Sequence, residues 1–286
     1  MNDLTRLQTI FQRGSYHRRM RWELLTTWLR LALKRMVRKR STDVEKVAGF
    51  RVAHLSLKTL AQLFDEIFVV GVYSFRAATP APTIIDCGSN IGMSILFFKR
   101  LYPGARIVGF EPDRDTFAKL AENARLNTLA DVELHNRAVS DREGTITIYT
   151  NADADGSLVT SIMEERVSGK SQTVETVRLS TFITGEVDLL KLDIEGAENL
   201  VLPELAASGK LRRIREMFIE YHHHHLAADD DGFAMILGIL EEHGFGYQIY
   251  SNYRVPFARE LFQDILVYAY RKEGGAKGER REEEAR

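Results

Sequence analysis

The segment that most constrains the fold is 83–92, where a short apolar stretch ends in a carboxylate and glycines follow. Ile84 and Ile85 are typical of a strand that is buried on both faces of a parallel sheet. Asp86 then stands at the carboxyl end of that strand, where open α/β sheets bind their ligands. The pattern therefore predicts a strand that leads into a ligand-binding loop.

The loop after this strand suits a cofactor that is not a dinucleotide. Gly88 permits a tight turn close to a ligand, and Gly92 lets the next helix, predicted to end near Leu101, pack near the strand. Backbone N–H groups at the start of that helix can hold a ligand carboxylate. Asn90 and Met93 stand where a dinucleotide loop has its second and third glycines, so that fingerprint fails.

A second predicted strand, 105–111, ends in the carboxylate of Glu111, nineteen residues after Gly92. An acidic side chain at this position can accept hydrogen bonds from both hydroxyls of a ribose. Pro112 stops the strand, and Asp113 is suited to cap the helix that follows. A nucleoside cofactor without a pyrophosphate fits this combination, which indicates S-adenosylmethionine.

With these motifs the chain resembles the FkbM family of the class I S-adenosylmethionine-dependent methyltransferases. The resemblance spans roughly residues 50–270 and rests on DCGSNIG at 86–92, EPD at 111–113, HNRAVSD at 135–141, LLKLDIEGAE at 189–198 and FIEYHHH at 218–224. It implies an α/β fold with a Rossmann-like, doubly wound, seven-stranded and mostly parallel sheet that has one antiparallel strand. It also implies O-methylation of a hydroxyl on a sugar, polyketide or other small-molecule or glycan acceptor.

The resemblance further implies a set of cofactor-binding residues in the loop, at neighbouring strand ends and at one aromatic position. They are Tyr73, Asp86, Gly88, Ser89, Asn90, Gly92, Glu111, Pro112, Asn136, Ala138 and Asp193. Tyr73 follows a strand predicted at 50–57 and a helix predicted at 57–68, a region that covers the cofactor in the family. Tyr73 is either a wall of the cofactor site or ordinary core packing.

The reaction is predicted at the end of another apolar strand, 189–192. Asp193 stands at its carboxyl end, where a polar residue of the superfamily faces methyl donor and acceptor; the alternative is a helix cap. Glu195 either activates a substrate hydroxyl or favours the N-terminus of the helix that begins near Ala197.

A second polar cluster lies within the run of four histidines at 222–225. Alternate residues of an extended chain face one way, so Glu220 and His222 share a side. Proton removal from the acceptor is assigned to His222 or Glu195, because histidine is a suitable base near its ordinary pKa. The alternative is a divalent cation such as Mg²⁺, held by Asp193 and Glu220, that lowers the pKa of the hydroxyl.

The remaining predicted elements alternate between strand and helix, as a doubly wound sheet requires. They are helices at 113–127 and 229–243, a strand at 132–135, an antiparallel pair at 145–150 and 174–179, and a final antiparallel hairpin at 246–250 and 262–270. Acceptor specificity is expected in loops such as 151–173 and 251–260.

Three regions are expected: a basic helical extension at 1–42, the methyltransferase domain at 43–270 and a charged tail at 271–286. Residues 1–40 hold eleven Lys or Arg against two acidic residues, so they carry +9 and the other 246 residues carry −10.

Apolar residues recur at helical spacing at Trp22, Leu25, Leu29, Leu33 and Met36. This stripe either packs against the domain or a second subunit, giving a homo-oligomer, or lies on an anionic membrane surface through residues 16–40.

Cytoplasmic localisation is expected, with contact at the inner membrane surface as the alternative. The chain has one cysteine and lacks both a signal peptide and eighteen successive apolar residues. No nucleic-acid-reading motif is present. Two other functions stay open: a non-catalytic module recruited to a membrane or an acidic partner, and an NAD-dependent oxidoreductase, which would need a different phosphate loop.

Overall fold

The computed structural model describes residues 18–37, 43–151, 160–161, 169–223, 232–251 and 263–272. Its α-helices are α1 (Arg18–Val37), α2 (Leu57–Leu63), α3 (Met93–Leu101), α4 (Arg114–Leu126), α5 (Glu198–Ala207) and α6 (Phe233–Glu242). Its strands are β1 (Val44–Val47), β2 (Phe50–Ala53), β3 (Thr83–Cys87), β4 (Arg106–Phe110), β5 (Val132–His135), β6 (Ala138–Ser140), β7 (Gly144–Asn151), β8 (Thr160–Ser161), β9 (Gly169–Arg178), β10 (Val187–Leu192), β11 (Ile214–His223), β12 (Phe245–Ser251) and β13 (Gln263–Arg271).

The central sheet has seven strands in the order β12-β13-β11-β10-β3-β4-β5. Strands β11, β10, β3, β4 and β5 pair in parallel, whereas β13 runs antiparallel to both β11 and β12. The predicted sheet, with its one antiparallel strand and its final hairpin, is therefore confirmed. The chain winds outward from β3 in one direction and returns to β10 on the other side, so a crevice forms at the carboxyl ends of β3 and β10.

Helices cover both faces of this sheet, because the central strands are apolar on both sides. Ile84 packs into a core with α2 and α3, while the next residue, Ile85, packs on the opposite face with α5 and α6. Leu189 and Leu190 repeat this alternation on the neighbouring strand. Each such side chain contributes roughly 1.5–3 kcal/mol through burial. The strand ends are thus held in a rigid frame, and the side chains after them share one edge.

A second sheet, in the order β6-β9-β7-β8, lies beside the first. Its β7 and β9 pair antiparallel in a register that sets Thr145 opposite Glu175, which confirms the predicted pairing. The predicted strand at 132–135 is present as β5, and the helices predicted at 113–127 and 229–243 are present as α4 and, from Phe233, as α6. The Asp113 side chain accepts a hydrogen bond from the Thr116 N–H and so caps α4.

The region before β3 differs from its prediction. The strand expected at 50–57 ends at Ala53 and forms a short hairpin with β1. The helix expected at 57–68 is regular only to Leu63 and continues as a π-helix, Phe64–Val70, which ends at Gly71 with φ 66°. In this wider turn the Glu66 carbonyl accepts the Gly71 N–H five residues later. Such π-helical turns occur frequently at functional sites.

Helix α1 packs on the domain through a different face from the predicted stripe. Met20, Leu24 and Leu31 are buried in the core, whereas Trp22, Leu29 and Leu33 are exposed. Packing of the predicted stripe against the domain is therefore wrong for Trp22, Leu29 and Leu33, whereas its packing against a second subunit stays a prediction. The side chain of Met36 lies outside the described part. The reason is that α1 carries two apolar faces, and helical spacing alone cannot rank them.

Several predicted features fall outside the described residues. They include most of the tail at 271–286, the last two residues of the histidine run at 222–225, and the greater part of the loops at 151–173 and 251–260. Within the described ranges, every helix is too short or too polar to cross a membrane.

Candidate active site

A cavity of about 350 Å³ lies at the carboxyl edge of the central sheet. Most of the predicted site residues line it: Tyr73, Gly88, Ser89, Asn90, Glu111, Pro112, Ala138, Asp193, Glu195, Glu220 and His222. Asp86, Gly92 and Asn136 are not part of the lining. The size is at the lower end of the range for small-molecule sites.

The loop after β3 passes very close to the backbone that follows β10. Gly88 has φ 79°, and a Cβ atom there would lie 1.8 Å from the Asp193 carbonyl oxygen. The N–H groups of Gly88 and Ser89 both donate to the Phe110 carbonyl, at 3.0 and 2.8 Å. Asn90 has φ 50°, a left-handed conformation, and its N–H donates to Glu111 Oε2 at 2.9 Å. The loop is thereby tied to the end of β4.

Glu111 accepts a hydrogen bond with each carboxylate oxygen. Oε2 accepts from the Asn90 N–H and Oε1 from the Asp113 N–H, both at 2.9 Å. Burial raises the pKa of Glu111 to about 8, although these two hydrogen bonds oppose the rise. The Asn136 side-chain amide donates to the Glu111 and Pro112 carbonyls, so it supports this turn from behind the cavity wall.

With Glu111 as the acceptor of a ribose hydroxyl, we expect nucleoside binding to become tighter as the pH rises to about 8, because only the carboxylate form accepts the hydrogen bond and binding must expel the proton of Glu111. The dissociation constant should fall by up to about tenfold per pH unit below that pKa. 5′-Methylthioadenosine is the appropriate probe, since it has the ribose hydroxyls but no titrating amino-acid group. Glu111→Gln cannot titrate and should remove the dependence; an unchanged slope in this variant would contradict the assignment.

Asp86 lies beneath the loop and not in the cavity. It is fully buried, its Oδ2 accepts a hydrogen bond of 2.5 Å from the Ser94 hydroxyl, and its Oδ1 lies 3.4 Å from Lys191 Nζ. Gly92 likewise has a packing role, because a Cβ atom there would lie 2.7 Å from Leu120 of α4.

Lys191 is a central residue that the sequence reasoning missed. It is buried within β10, its Nζ donates to the Gly88 carbonyl at 2.9 Å, and it lies 3.1 Å from Asp193 Oδ2. Burial alone lowers the pKa of Lys191, but Asp193 and Asp86 more than reverse that, so the pKa is raised. The one available signal was a lysine interrupting an otherwise apolar strand, VDLLKL.

Asp193 is held ionised by its neighbours. Burial opposes this, but the charges of Lys191 and His222 lower the pKa of Asp193 below its ordinary value. The Tyr73 hydroxyl donates to Asp193 Oδ2 at 3.3 Å, and the Tyr73 ring also packs against Phe218. Tyr73 is therefore at once a cavity wall and part of the core.

His222 lies among three carboxylates. Its Nδ1 is 3.0 Å from Glu198 Oε1, and its Nε2 is 3.3 Å from Glu195 Oε2 and 3.9 Å from Asp193 Oδ1. Burial lowers the pKa of His222, but Glu198, Glu195 and Asp193 raise it to about 10. The ring is consequently an imidazolium at neutral pH, with both nitrogens able to donate.

Glu198 is the second residue that sequence reasoning missed. Its carboxylate is buried at the start of α5, where it accepts the N–H groups of Ile194 and Gly196 at 3.1 Å as well as contacting His222. Glu198 therefore fixes both the ring and the turn before the helix. The only feature of the sequence that pointed to Glu198 was its position three residues after Glu195.

The backbone at Glu195 is strained. Glu195 has φ 56°, in the left-handed region that costs a non-glycine residue roughly 1–2 kcal/mol. With this backbone conformation, Glu195 lines the cavity and its Oε2 lies 3.3 Å from His222 Nε2. Strain of this kind occurs often at functional positions, where the surrounding structure compensates for it.

A group of possible metal ligands lies here, but it differs from the predicted pair. Ligand atoms of Asp193, Glu195 and His222 lie within 4.8 Å of one another, and Glu220 is not among them in the part of the chain that the structure describes. Burial and the charge of Asp193 raise the pKa of Glu220 well above its ordinary value. A cation bound by Asp193, Glu195 and His222 would have to displace the proton of His222 and to compete with the positive charge of Lys191.

The second sheet supplies a further wall that the motifs did not predict. Ile146, Ile148 and Thr176 line the cavity from β7 and β9, and Arg137, just before β6, lines it as well. The π-helix contributes Glu66 and Ile67 from the other side. A mixed apolar and polar wall of this kind suits an organic acceptor placed beside the carboxylate cluster.

Comparison with known proteins gives a consistent set of similarities. The family model described as the methyltransferase FkbM domain matches residues 86–247. The chain is 29% identical to the AMB antimetabolite synthetase AmbE of Pseudomonas aeruginosa over 72% of this chain and 12% of that protein. It is 29% identical to the 31-O-demethyl-FK506 methyltransferase FkbM of Streptomyces tacrolimicus over 69% of this chain and 86% of that protein.

A third similar protein is the 2-O-methyltransferase NoeI of Sinorhizobium fredii, at 33% identity over 50% of this chain and 64% of that protein. The chain thus spans less than two thirds of the length of AmbE and of NoeI.

Proposed function

Because the chain belongs to the FkbM methyltransferase family, we propose that it transfers the methyl group of S-adenosylmethionine to a hydroxyl oxygen of a small-molecule or glycan acceptor. The observation that carries this proposal is that Glu111 and the cluster of Asp193, Glu195 and His222 open on the same cavity. The Glu111 side of the cavity suits a ribose, and the cluster side suits an acceptor hydroxyl that must lose a proton.

The cofactor-binding role falls to the residues on the β3 and β4 side. Glu111 offers its carboxylate to the ribose hydroxyls. Gly88 lets the loop pass directly against the backbone of Asp193, which brings the cofactor side of the cavity next to that residue. The buried charges of Lys191 and Asp86 hold this loop in place from below. Asp193 stands between the cofactor side of the cavity and the side where the acceptor binds. It therefore positions the two reactants relative to each other.

When bound, S-adenosylmethionine supplies a methyl group on a positively charged sulfur for in-line attack by an oxygen. The oxygen–carbon bond forms as the carbon–sulfur bond breaks, and the hydroxyl proton must leave. We assign that proton to the carboxylate of Glu195, since the raised pKa of His222 leaves its ring already protonated at neutral pH. His222 donates to Glu195 and holds it in position, with Glu198 as its anchor.

The names of two similar proteins support transfer of the methyl group to oxygen. FkbM of Streptomyces tacrolimicus is a 31-O-demethyl-FK506 methyltransferase, and NoeI is a 2-O-methyltransferase. The apolar wall from β7 and the polar cluster opposite it are suited to an acceptor that presents a hydroxyl from a partly apolar body.

A calorimetric titration tests the cofactor assignment. We expect S-adenosylmethionine and S-adenosylhomocysteine to bind and NAD not to bind, because the loop lacks the glycines that a pyrophosphate requires. Glu111→Ala should weaken binding by at least about tenfold, since it removes the acceptor of two ribose hydroxyls. Glu133→Ala, which removes a carboxylate from the exposed side of β5, is the matched control and should bind normally.

Binding of NAD alone would favour an oxidoreductase, and binding of none of the three would favour a non-catalytic module. If S-adenosylmethionine binds, hydroxylated acceptors should be screened for methylated product by mass spectrometry. Transfer to nitrogen or carbon instead of oxygen would retain the methyltransferase function and contradict the proposed acceptor class.

A further inference from the structure

Helix α1 exposes an apolar face on the side opposite to the one that packs on the domain. Trp22 is 59% exposed, Leu29 52% and Leu33 61%. At about 100° per residue, these three positions fall within one narrow sector of the helix. Exposed large apolar side chains that cluster in this way mark an interaction surface more often than chance.

The orientation of the helix is determined by contacts on its other side. Met20, Leu24 and Leu31 are buried in the core, and the Thr27 hydroxyl accepts the Ala48 N–H at 3.2 Å. Lys34 pairs at 2.5 Å with the buried carboxylate of Glu45, and Glu23 pairs with Arg100 of α3. Rolling the helix to bury Trp22, Leu29 and Leu33 would break all of these contacts. The exposed face is therefore a stable feature of the fold.

Positive charge surrounds this face. Arg18 and Arg19 are exposed and flank the sector on its two sides, about 20° and about 40° from its nearest apolar residue by their spacing along the helix. Arg21 and Arg30 lie further round the helix and are half-buried. Only Glu23 opposes the six basic residues of α1, so the helix carries a net charge of +5. Two such faces brought together would repel each other, whereas an anionic surface would complement the charge.

We propose that the exposed face of α1 binds an anionic lipid surface. A tryptophan and leucines enter the interface between headgroups and acyl chains, while flanking arginines contact the phosphates, which is the arrangement of an interfacial helix. Helix α1 packs against α2 and the π-helix, whose residues line the cavity. The docked surface would thus adjoin the helical cover of the active site.

Vesicle sedimentation with the full chain tests the proposal. Vesicles of phosphatidylglycerol and phosphatidylcholine should sediment the protein, and pure phosphatidylcholine should sediment much less. Raising salt from about 50 to about 500 mM should reduce binding several-fold, because the Debye length shortens. Trp22→Ser with Leu29→Gln and Leu33→Gln should reduce binding at least about tenfold by removing the inserted apolar area.

Met235→Gln with Ile249→Gln is the matched control. Both residues are comparably exposed, at 43% and 48%, but lie in α6 and β12. This control should bind vesicles as the native chain does. Thermal unfolding should be unchanged in both sets of variants, since exposed side chains contribute little to stability.

A fluorescence measurement gives an independent readout. Trp22 and Trp28 are the two tryptophans of the chain. In a Trp28→Phe background, the emission of Trp22 should shift to shorter wavelength with anionic vesicles and stay unchanged with phosphatidylcholine. Vesicle binding without this shift would overturn the proposed face.

Two other results would overturn the proposal. Equal sedimentation with both vesicle types, insensitive to salt, would exclude recognition of anionic lipid. A dimer in sedimentation velocity that the triple variant dissociates, without vesicle binding, would assign the face to a second copy of the chain. Neither result bears on cofactor binding, which the calorimetric titration measures separately.

Discussion

Gly88→Ala is expected to abolish cofactor binding and to destabilise the fold by about 3–5 kcal/mol. The added Cβ would stand 1.8 Å from the carbonyl oxygen of Asp193, which is backbone and cannot rotate away. The φ of 79° adds strain for any side chain. To relieve the clash, the loop must move away from β10, which also breaks its contact with Lys191.

Gly238→Ala is the control for this substitution. Gly238 lies within α6, and a Cβ atom there meets no atom within 4 Å. Alanine should stabilise the helix by about 0.5–1 kcal/mol through its better helix propensity. Urea unfolding and calorimetry with S-adenosylhomocysteine measure both effects. Normal cofactor affinity in Gly88→Ala would show that the loop can rearrange and that the close approach is not required.

Glu195→Gln is expected to lower kcat by about 10²–10⁴-fold while the affinity for S-adenosylmethionine changes little. The amide keeps the shape of the side chain but is a poor proton acceptor. Glu195→Gly should lose turnover to a similar degree and relieve the strain of the φ at 56°. If Glu195→Gly is at least as stable as the native chain and yet inactive, the role of Glu195 is catalytic and not structural.

The pH dependence of turnover distinguishes Glu195 from His222 as the proton acceptor. With His222 as the base, the pKa of about 10 requires kcat to rise about tenfold per unit from neutral pH towards 10, because only the neutral ring accepts a proton. With Glu195 as the base this rise is absent. A steep alkaline rise that His222→Gln removes would contradict our assignment. Loss of turnover with a chelator would instead support a cation at Asp193, Glu195 and His222.

Much of the fold followed from local patterns. The apolar strand at 83–87, the glycine loop and the carboxylate of Glu111 were recognisable because each depends on neighbours within a few residues. The parallel sheet places the ends of adjacent strands at one edge, so the topology alone brings the predicted site residues Gly88, Asp193 and His222 together. These residues do line one cavity.

Other parts depended on which segments meet in space. Lys191 looked like an interruption of an apolar strand, yet it is the buried charge between Asp86 and Asp193. Glu198 contacts His222, twenty-four positions further along the chain, and raises the pKa of a ring that the sequence suggested as a base. A pKa depends on burial and on charges from distant segments, which no local pattern contains.

By itself, the sequence determined the order of the strands in the central sheet and of the helices between them, the family and the position of the cofactor loop, because hydrophobic periodicity, glycines and strand-end carboxylates act over short range. Only the tertiary structure decided the protonation of His222, the strained backbone of Glu195 and the face of α1 that stays exposed. These depend on packing and on electrostatic contacts between segments far apart in the chain. Two apolar faces on one helix are equivalent in sequence until the domain buries one of them.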